Sequence, residues 1–280
     1  MALPLYNELP LIADLEEEEQ DTQMTSSETL QPKPGVRHLP LEGAYNIRDL
    51  GGYTTTDGRT TRWGQYLRSD TLANLPEESA SALVEYGIRN IIDLRRSTEV
   101  QFKPSPFIGC EAVNYYHQNM SGDIPLEGRA ALLEIEDQAE RRGRVYCQIL
   151  DQRKHILHQI FSILAQPDGL PTLGHCNAGK DRAGIVAAFV LTISGVPRQT
   201  IIDDYALTAK YLVHRYYAEN PDVNPEEYTW KDYQDLACDP RSMEFTLDYV
   251  DANYGSVVDY LRHVGITDAQ INSIKAAMVQ

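Results

Sequence analysis

Brief apolar runs alternate with longer amphipathic ones through most of the chain. Gln65–Arg68, Asn90–Leu94, Ala112–Tyr116 and Pro171–Gly174 are short, apolar at their centres and bounded by Gly, Pro or polar residues, which predicts strands. Helical spacing covers Pro76–Tyr86, roughly Arg144–Ala165, Arg182–Ser194, Arg198–Tyr217 and the tail from Ser242 onward. Gly195, two residues before Pro197, reads as a helix stop. Strands that alternate with helices predict an α/β fold with a central, mainly parallel sheet flanked by helices and a helical C-terminal extension. The segment 220–240, with Pro221, Pro225 and clustered aromatics around Trp230, reads equally as a lid or as an ordered crossover.

One strand-to-helix junction carries the chemistry. Residues 175–184 read His-Cys-Asn-Ala-Gly-Lys-Asp-Arg-Ala-Gly, with five residues between Cys176 and Arg182. A tight loop between a strand and a helix ends at the helix N-terminus, where unpaired backbone N–H groups and the helix dipole favour an anion. The same field stabilises a thiolate, and the pKa of a cysteine so placed falls from ~8.5 towards ~3.5–7.5. Arg182 supplies a planar fork for two phosphoryl oxygens, while Asn177, Ala178, Gly179 and Lys180 supply the loop that surrounds them. Nucleophile and cradle together point to phosphoryl transfer through a cysteinyl phosphate, chemistry that calls for no metal and no cofactor. The competing reading, Cys176 as a small buried core residue, explains neither the spacing nor the two charged residues packed beside it.

This string resembles the signature loop of the protein tyrosine phosphatases, and in particular the family-3 branch of microbes. The likeness extends through Asn46-Ile47-Arg48-Asp49-Leu50-Gly51-Gly52, Leu67-Arg68-Ser69, Asp93-Leu94-Arg95 and Tyr254-Gly255-Ser256 with Tyr260-Leu261, and so spans about Leu39 to Met278. It implies a tyrosine-phosphatase-like fold and hydrolysis of phosphotyrosine, with phosphoinositides or phosphoserine/threonine as further substrates. The family carries a hydroxyl residue directly after the arginine, where this chain has Ala183. In the family picture that hydroxyl stabilises the leaving thiolate, so its loss predicts a burst followed by slow turnover. Ala183 is also the best argument for the alternative function, a catalytically weak pseudophosphatase that binds phosphate. A third reading, a thiol redox or arsenate-reducing enzyme, lacks a neighbouring resolving cysteine.

Two carboxyls compete as general acid. Asp181 lies within the loop at a position that the resemblance ties to catalysis; Asp123 lies in the polar stretch Gln118–Pro125 after the third predicted strand, where a mobile acid-bearing loop would fall. Their plainer roles are a loop-bracing ion pair and a solvated turn residue. Lys180 either meets a second phosphate of a polyphosphorylated inositol lipid or only raises the local potential. His175 reads as a buried brace on the loop carbonyls, and Arg48, Asp49, Asp93 and Arg95 as support around the site.

Composition narrows the setting. The chain has 280 residues, 42% hydrophobic and 24% charged, enough for one phosphatase domain over residues 37–280. Residues 1–36 hold eight of its acids against one base and end in a Pro-rich stretch, which predicts a disordered acidic arm; as a sharper alternative its Glu run would lie over the positive loop as a pseudosubstrate. The net charge of −16 argues against nucleic-acid partners, and no apolar run reaches the length of an integral membrane segment. Cys110, Cys147, Cys176 and Cys238 lack metal or C-x-x-C spacing, so four free thiols in a reducing, cytoplasmic setting are expected.

Overall fold

The computed structural model describes residues 35–280; the acidic arm expected over 1–36 lies outside them but for its last two residues. Five strands form one sheet: β1 (Arg48–Asp49), β2 (Tyr66–Ser69), β3 (Asn90–Asp93), β4 (Asn114–His117) and β5 (Thr172–His175), in the order β1-β2-β5-β3-β4. All neighbours run parallel except β1, which pairs antiparallel with β2. β5 is therefore central, and its C-terminal end opens between β2 and β3, where ligands collect in open α/β sheets.

Eleven helices surround the sheet among the described residues: α1 (Glu77–Tyr86), α2 (Ser97–Phe102), α3 (Arg129–Leu132), α4 (Gln138–Gln152), α5 (Lys154–Leu164), α6 (Asp181–Ser194), α7 (Arg198–Glu219), α8 (Trp230–Ala237), α9 (Arg241–Tyr254), α10 (Val257–His263) and α11 (Asp268–Met278). Strand alternation divides the core into two layers. Tyr66 and Ile92 join α4 to α6 and the C-terminal helices on one face, whereas Leu67, Ile91 and Leu173 pack with Leu83 and Tyr86 of α1 on the other. α6 is apolar all round and buried along most of its length, as the predicted run of small and branched residues requires. Gly195 ends it at φ +83°, with its N–H on Thr192 and that of Val196 on Leu191, the left-handed stop expected.

Several expectations need correction. The helix expected over Arg144–Ala165 starts earlier and is two helices, α4 and α5, parted at Arg153 (φ −122°, ψ 28°). No Gly or Pro marks that break: the Arg153 guanidinium reaches back to the carbonyls of Ser121 and Ile124, fixing the 121–128 loop instead of continuing a surface helix. The third strand sits two residues later than Ala112–Tyr116, at Asn114–His117, because its pairing with Asn90–Asp93 sets the register. The pair Arg48–Asp49 is a short edge strand that no periodicity announces. The segment 220–240 is an ordered crossover in part, since α8 packs on α7 and the Tyr217 hydroxyl donates to the Tyr228 carbonyl at 2.7 Å.

Candidate active site

Residues 176–180 leave β5 and turn into α6, and the fold holds this loop by its carbonyls. Asn177 O accepts from Thr71 N and from Arg215, both at 3.1 Å; Ala178 O accepts from Asn46 Nδ2 at 3.2 Å; Gly179 O and Lys180 O accept from Arg68 at 2.6 and 3.3 Å. Four successive carbonyls thus face outward. Among the described residues no hydrogen bond is made by the backbone N–H groups of Asn177 to Arg182, so the opposite face of the turn gathers free donors at the start of α6. Gly179 is required twice over: its φ is +66°, and a Cβ there would meet Asp70 N and the Ser69 carbonyl carbon at 2.5 Å.

The hands that hold the loop belong to a buried charge network. Asp204 of α7 takes Arg68 at 2.6 Å and Arg48 at 3.3 Å; Tyr53 adds its hydroxyl at 2.9 Å, and Arg48 also bonds Asn46 and, at 3.0 Å, Thr208. Both arginines and the aspartate are essentially inaccessible. Burial opposes the Asp204 charge, but Arg48 and Arg68 overcome it and hold the carboxyl well below the usual range. Asp49 instead orders the turn ahead of β2, accepting from Gly51 N, Gly64 N and Tyr86 Oη at 2.6–2.7 Å.

Cys176 is 1% exposed at the floor of the loop. His175 is fully buried: Nδ1 lies 3.4 Å from the Cys176 carbonyl and Nε2 3.5 Å from Asp93 Oδ2. Burial lowers its pKa to about 4 against the pull of Asp93, so it is a neutral brace at pH 7 rather than a base. Asp93 in turn is clamped by Arg95 and accepts from Tyr115 at 2.7 Å. Two other thiols, Cys147 and Cys238, are pushed by burial up to about 12 and about 11, which makes them poor nucleophiles at neutral pH.

Arg182, in the first turn of α6, is held by both oxygens of Glu99 at 2.7 and 3.2 Å. Burial works against its charge, yet the nearby Cys176, Glu99 and Asp181 more than offset this and raise the guanidinium above its ordinary range. Asp181 accepts from the buried Tyr146 hydroxyl, which in turn lies 2.8 Å from Tyr205 Oη. Lys180 Nζ is 3.7 Å from the same carboxyl. Burial would raise the Asp181 pKa, but Lys180 and the Tyr146 hydrogen bond prevail and it falls below the usual value. Asp123 stands apart: exposed, it accepts from Ser97 at 3.0 Å and Asn119 at 2.8 Å, and among the described residues no hydrogen bond or ion pair joins it to 175–182. A cleft of about 480 Å³ opens in front of Lys180, Asp181 and Arg182, walled by α3 and α4.

Set beside known proteins, the chain matches the tyrosine phosphatase family over residues 39–280. It belongs to that family. A tyrosine-protein phosphatase of Nostoc commune is 26% identical over 227 residues, covering 77% of this chain and 74% of the relative. The triple specificity protein phosphatase PtpB of Mycobacterium tuberculosis is 27% identical over an alignment of 284 positions, covering 87% of this chain and 99% of the relative. A family tyrosine phosphatase is a phosphoric monoester hydrolase acting on phosphorylated substrates, and that activity is the chain's. The residues that sequence reasoning missed are Glu99, Tyr146, Asn46, Arg68 and Asp204. Of these, Asp204 left a trace: a carboxylate within the otherwise apolar face Ile201-Ile202-Tyr205-Ala209 of a helix.

Proposed function

We propose that this tyrosine phosphatase works through a cysteinyl-phosphate intermediate on Cys176. The observation that carries this reading is the loop itself, with four outward carbonyls tied down and the N–H groups left free on the side of Cys176 and Arg182. The thiolate sulfur attacks phosphorus and forms the S–P bond as the ester P–O bond breaks. Arg182 and the loop amides hold the equatorial oxygens, whose charge reorganises in the transition state. The leaving oxygen takes a proton from Asp181. Water then attacks the phosphocysteine, returns a proton to Asp181, and releases inorganic phosphate and the thiolate.

Asp181 fits the acid role through its place at the loop and its fixed orientation. Its depressed pKa in the free enzyme is not an obstacle, because an incoming phosphate brings negative charge beside it and pushes the carboxyl towards its protonated form. Phosphotyrosine is the first substrate class; phosphoserine/threonine and phosphoinositides follow as broader ones, in keeping with the name of the mycobacterial relative. Four free thiols, one of them a nucleophile, suit a reducing compartment such as the cytoplasm. Replacement of Cys176 by Ser abolishes turnover of an aryl phosphate by at least about a thousandfold while inorganic phosphate still binds, and vanadate inhibits the parent enzyme. Undiminished hydrolysis by Cys176→Ser ends the reading.

A further inference from the structure

The cleft before the loop holds more positive charge than one phosphate needs. Arg182 is matched by Glu99 and Lys180 faces Asp181. The same cleft is lined by Arg96, Arg129, Arg141 and Arg142, and among the described residues none of these four forms an ion pair with a carboxylate. Arg141 donates to the Ile135 carbonyl at 3.3 Å, and Arg142 to Ser242 Oγ and the Leu236 carbonyl, both at 3.2 Å. All their partners are neutral. In a chain of net charge −16, where arginines elsewhere readily find acids, four like charges gathered around one opening without counter-charge repel one another. A ligand that brings the missing negative charge relieves that repulsion.

We propose that the α3–α4 wall is a subsite for a second phosphate of the same substrate, and that its occupant is a compact polyphosphorylated cyclitol headgroup. This deepens the phosphatase reading and rests on it. Guanidinium groups offer donors and no acceptors, which suits a ring bearing several phosphates. A peptide backbone brings as many N–H groups as carbonyls and finds few acceptors here. The cleft's volume of about 480 Å³ takes one compact headgroup, with Leu132, Leu133 and Val145 presenting an apolar flank to the C–H face of a ring.

The test compares KM for soluble short-chain phosphatidylinositol bisphosphate and monophosphate, in the full chain and in the double variant Arg129→Gln/Arg141→Gln, at low and high salt. We expect a KM at least about tenfold lower for the bisphosphate, an advantage that shrinks with salt and falls below about threefold in the variant. kcat/KM for p-nitrophenyl phosphate, which has one phosphate and no second group, stays within about twofold. Arg129→Lys/Arg141→Lys, which keeps the charge and loses the fork, serves if the Gln pair does not fold. Free inositol bisphosphate, run alongside, tells whether the headgroup alone or its lipid form is preferred; either preference fits the subsite. An unchanged bisphosphate advantage in both variants overturns the proposal, as does an advantage found for doubly over singly phosphorylated peptides and absent for the cyclitol pair. No turnover of p-nitrophenyl phosphate by the parent enzyme would instead overturn the phosphatase reading beneath it.

Discussion

Arginines stand on both sides of the phosphate loop, and they do opposite work. Behind it, Arg48 and Arg68 are sealed from water, share Asp204 and spend their remaining donors on Asn46, Thr208 and loop carbonyls. In front of it, Arg96, Arg129 and Arg141 line an open cleft with no acid opposite. Desolvation decides the difference: a buried guanidinium without a partner costs several kcal/mol, whereas one at a wet rim costs little and stays available. The rear pair therefore builds the loop's shape, and the front group is free to respond to what enters. The two regions should fail differently when altered.

The sharpest break comes from the rear. Asp204→Asn leaves two buried arginines around a neutral amide, and we expect a loss of about 3–5 kcal/mol in urea unfolding, with phosphate affinity falling in step as the loop carbonyls lose Arg68. Removing front arginines should leave unfolding within about 0.5 kcal/mol. Equal destabilisation by both kinds of change would erase the contrast.

This division also marks how far the sequence could be read. The strand, loop and α6 are contiguous, so Cys176, Arg182 and the cradle between them appear as one string, and the alternation of elements gives the parallel sheet. Glu99, Tyr146, Asp204 and Asn46 reach the loop only through tertiary contact, from 83, 35, 156 and 132 positions away by the bonds they make. No local pattern announces such partners. The break at Arg153 escaped notice for the same reason: its cause is a side chain that reaches a distant loop, not a residue that disfavours helix. Arg48 and Asp49, read together as support, part company, one serving the loop and the other the 51–64 turn.

A smaller effect belongs to the acid, which touches both regions. The Tyr146 hydroxyl donates to Asp181, and a hydrogen bond to the charged form lowers a carboxyl pKa. Tyr146→Phe removes that donor, so the pKa rises and the protonated fraction persists to higher pH. The alkaline limb of the kcat/KM profile should shift upward in pH, while Tyr205→Phe, one step further along the chain of hydroxyls, shifts it less. Asp181→Asn should flatten this limb and Asp123→Asn should leave it in place. The reverse outcome transfers the acid role to Asp123 and detaches Tyr146 from catalysis.

The mildest change concerns Ala183, one residue beyond Arg182 and fully buried in the first turn of α6. A methyl there cannot donate to the sulfur as the family's hydroxyl does, so the thiolate leaves less readily when water attacks the phosphocysteine. Formation of the intermediate is less affected, because Arg182 and the amides act on the phosphoryl oxygens in both steps. Stopped-flow traces with an aryl phosphate should then show a burst near one equivalent of enzyme before slow turnover. One restored hydrogen bond is worth about 0.5–1.5 kcal/mol, a gain of about two- to twelvefold in the slow step. Ala183→Ser adds a single oxygen and should approach that gain; Ala183→Thr adds a methyl as well to a fully packed site, and overpacking should take back part of it. A trace without a burst, left unaltered by Ser, would place the slow step elsewhere and make Ala183 neutral to turnover.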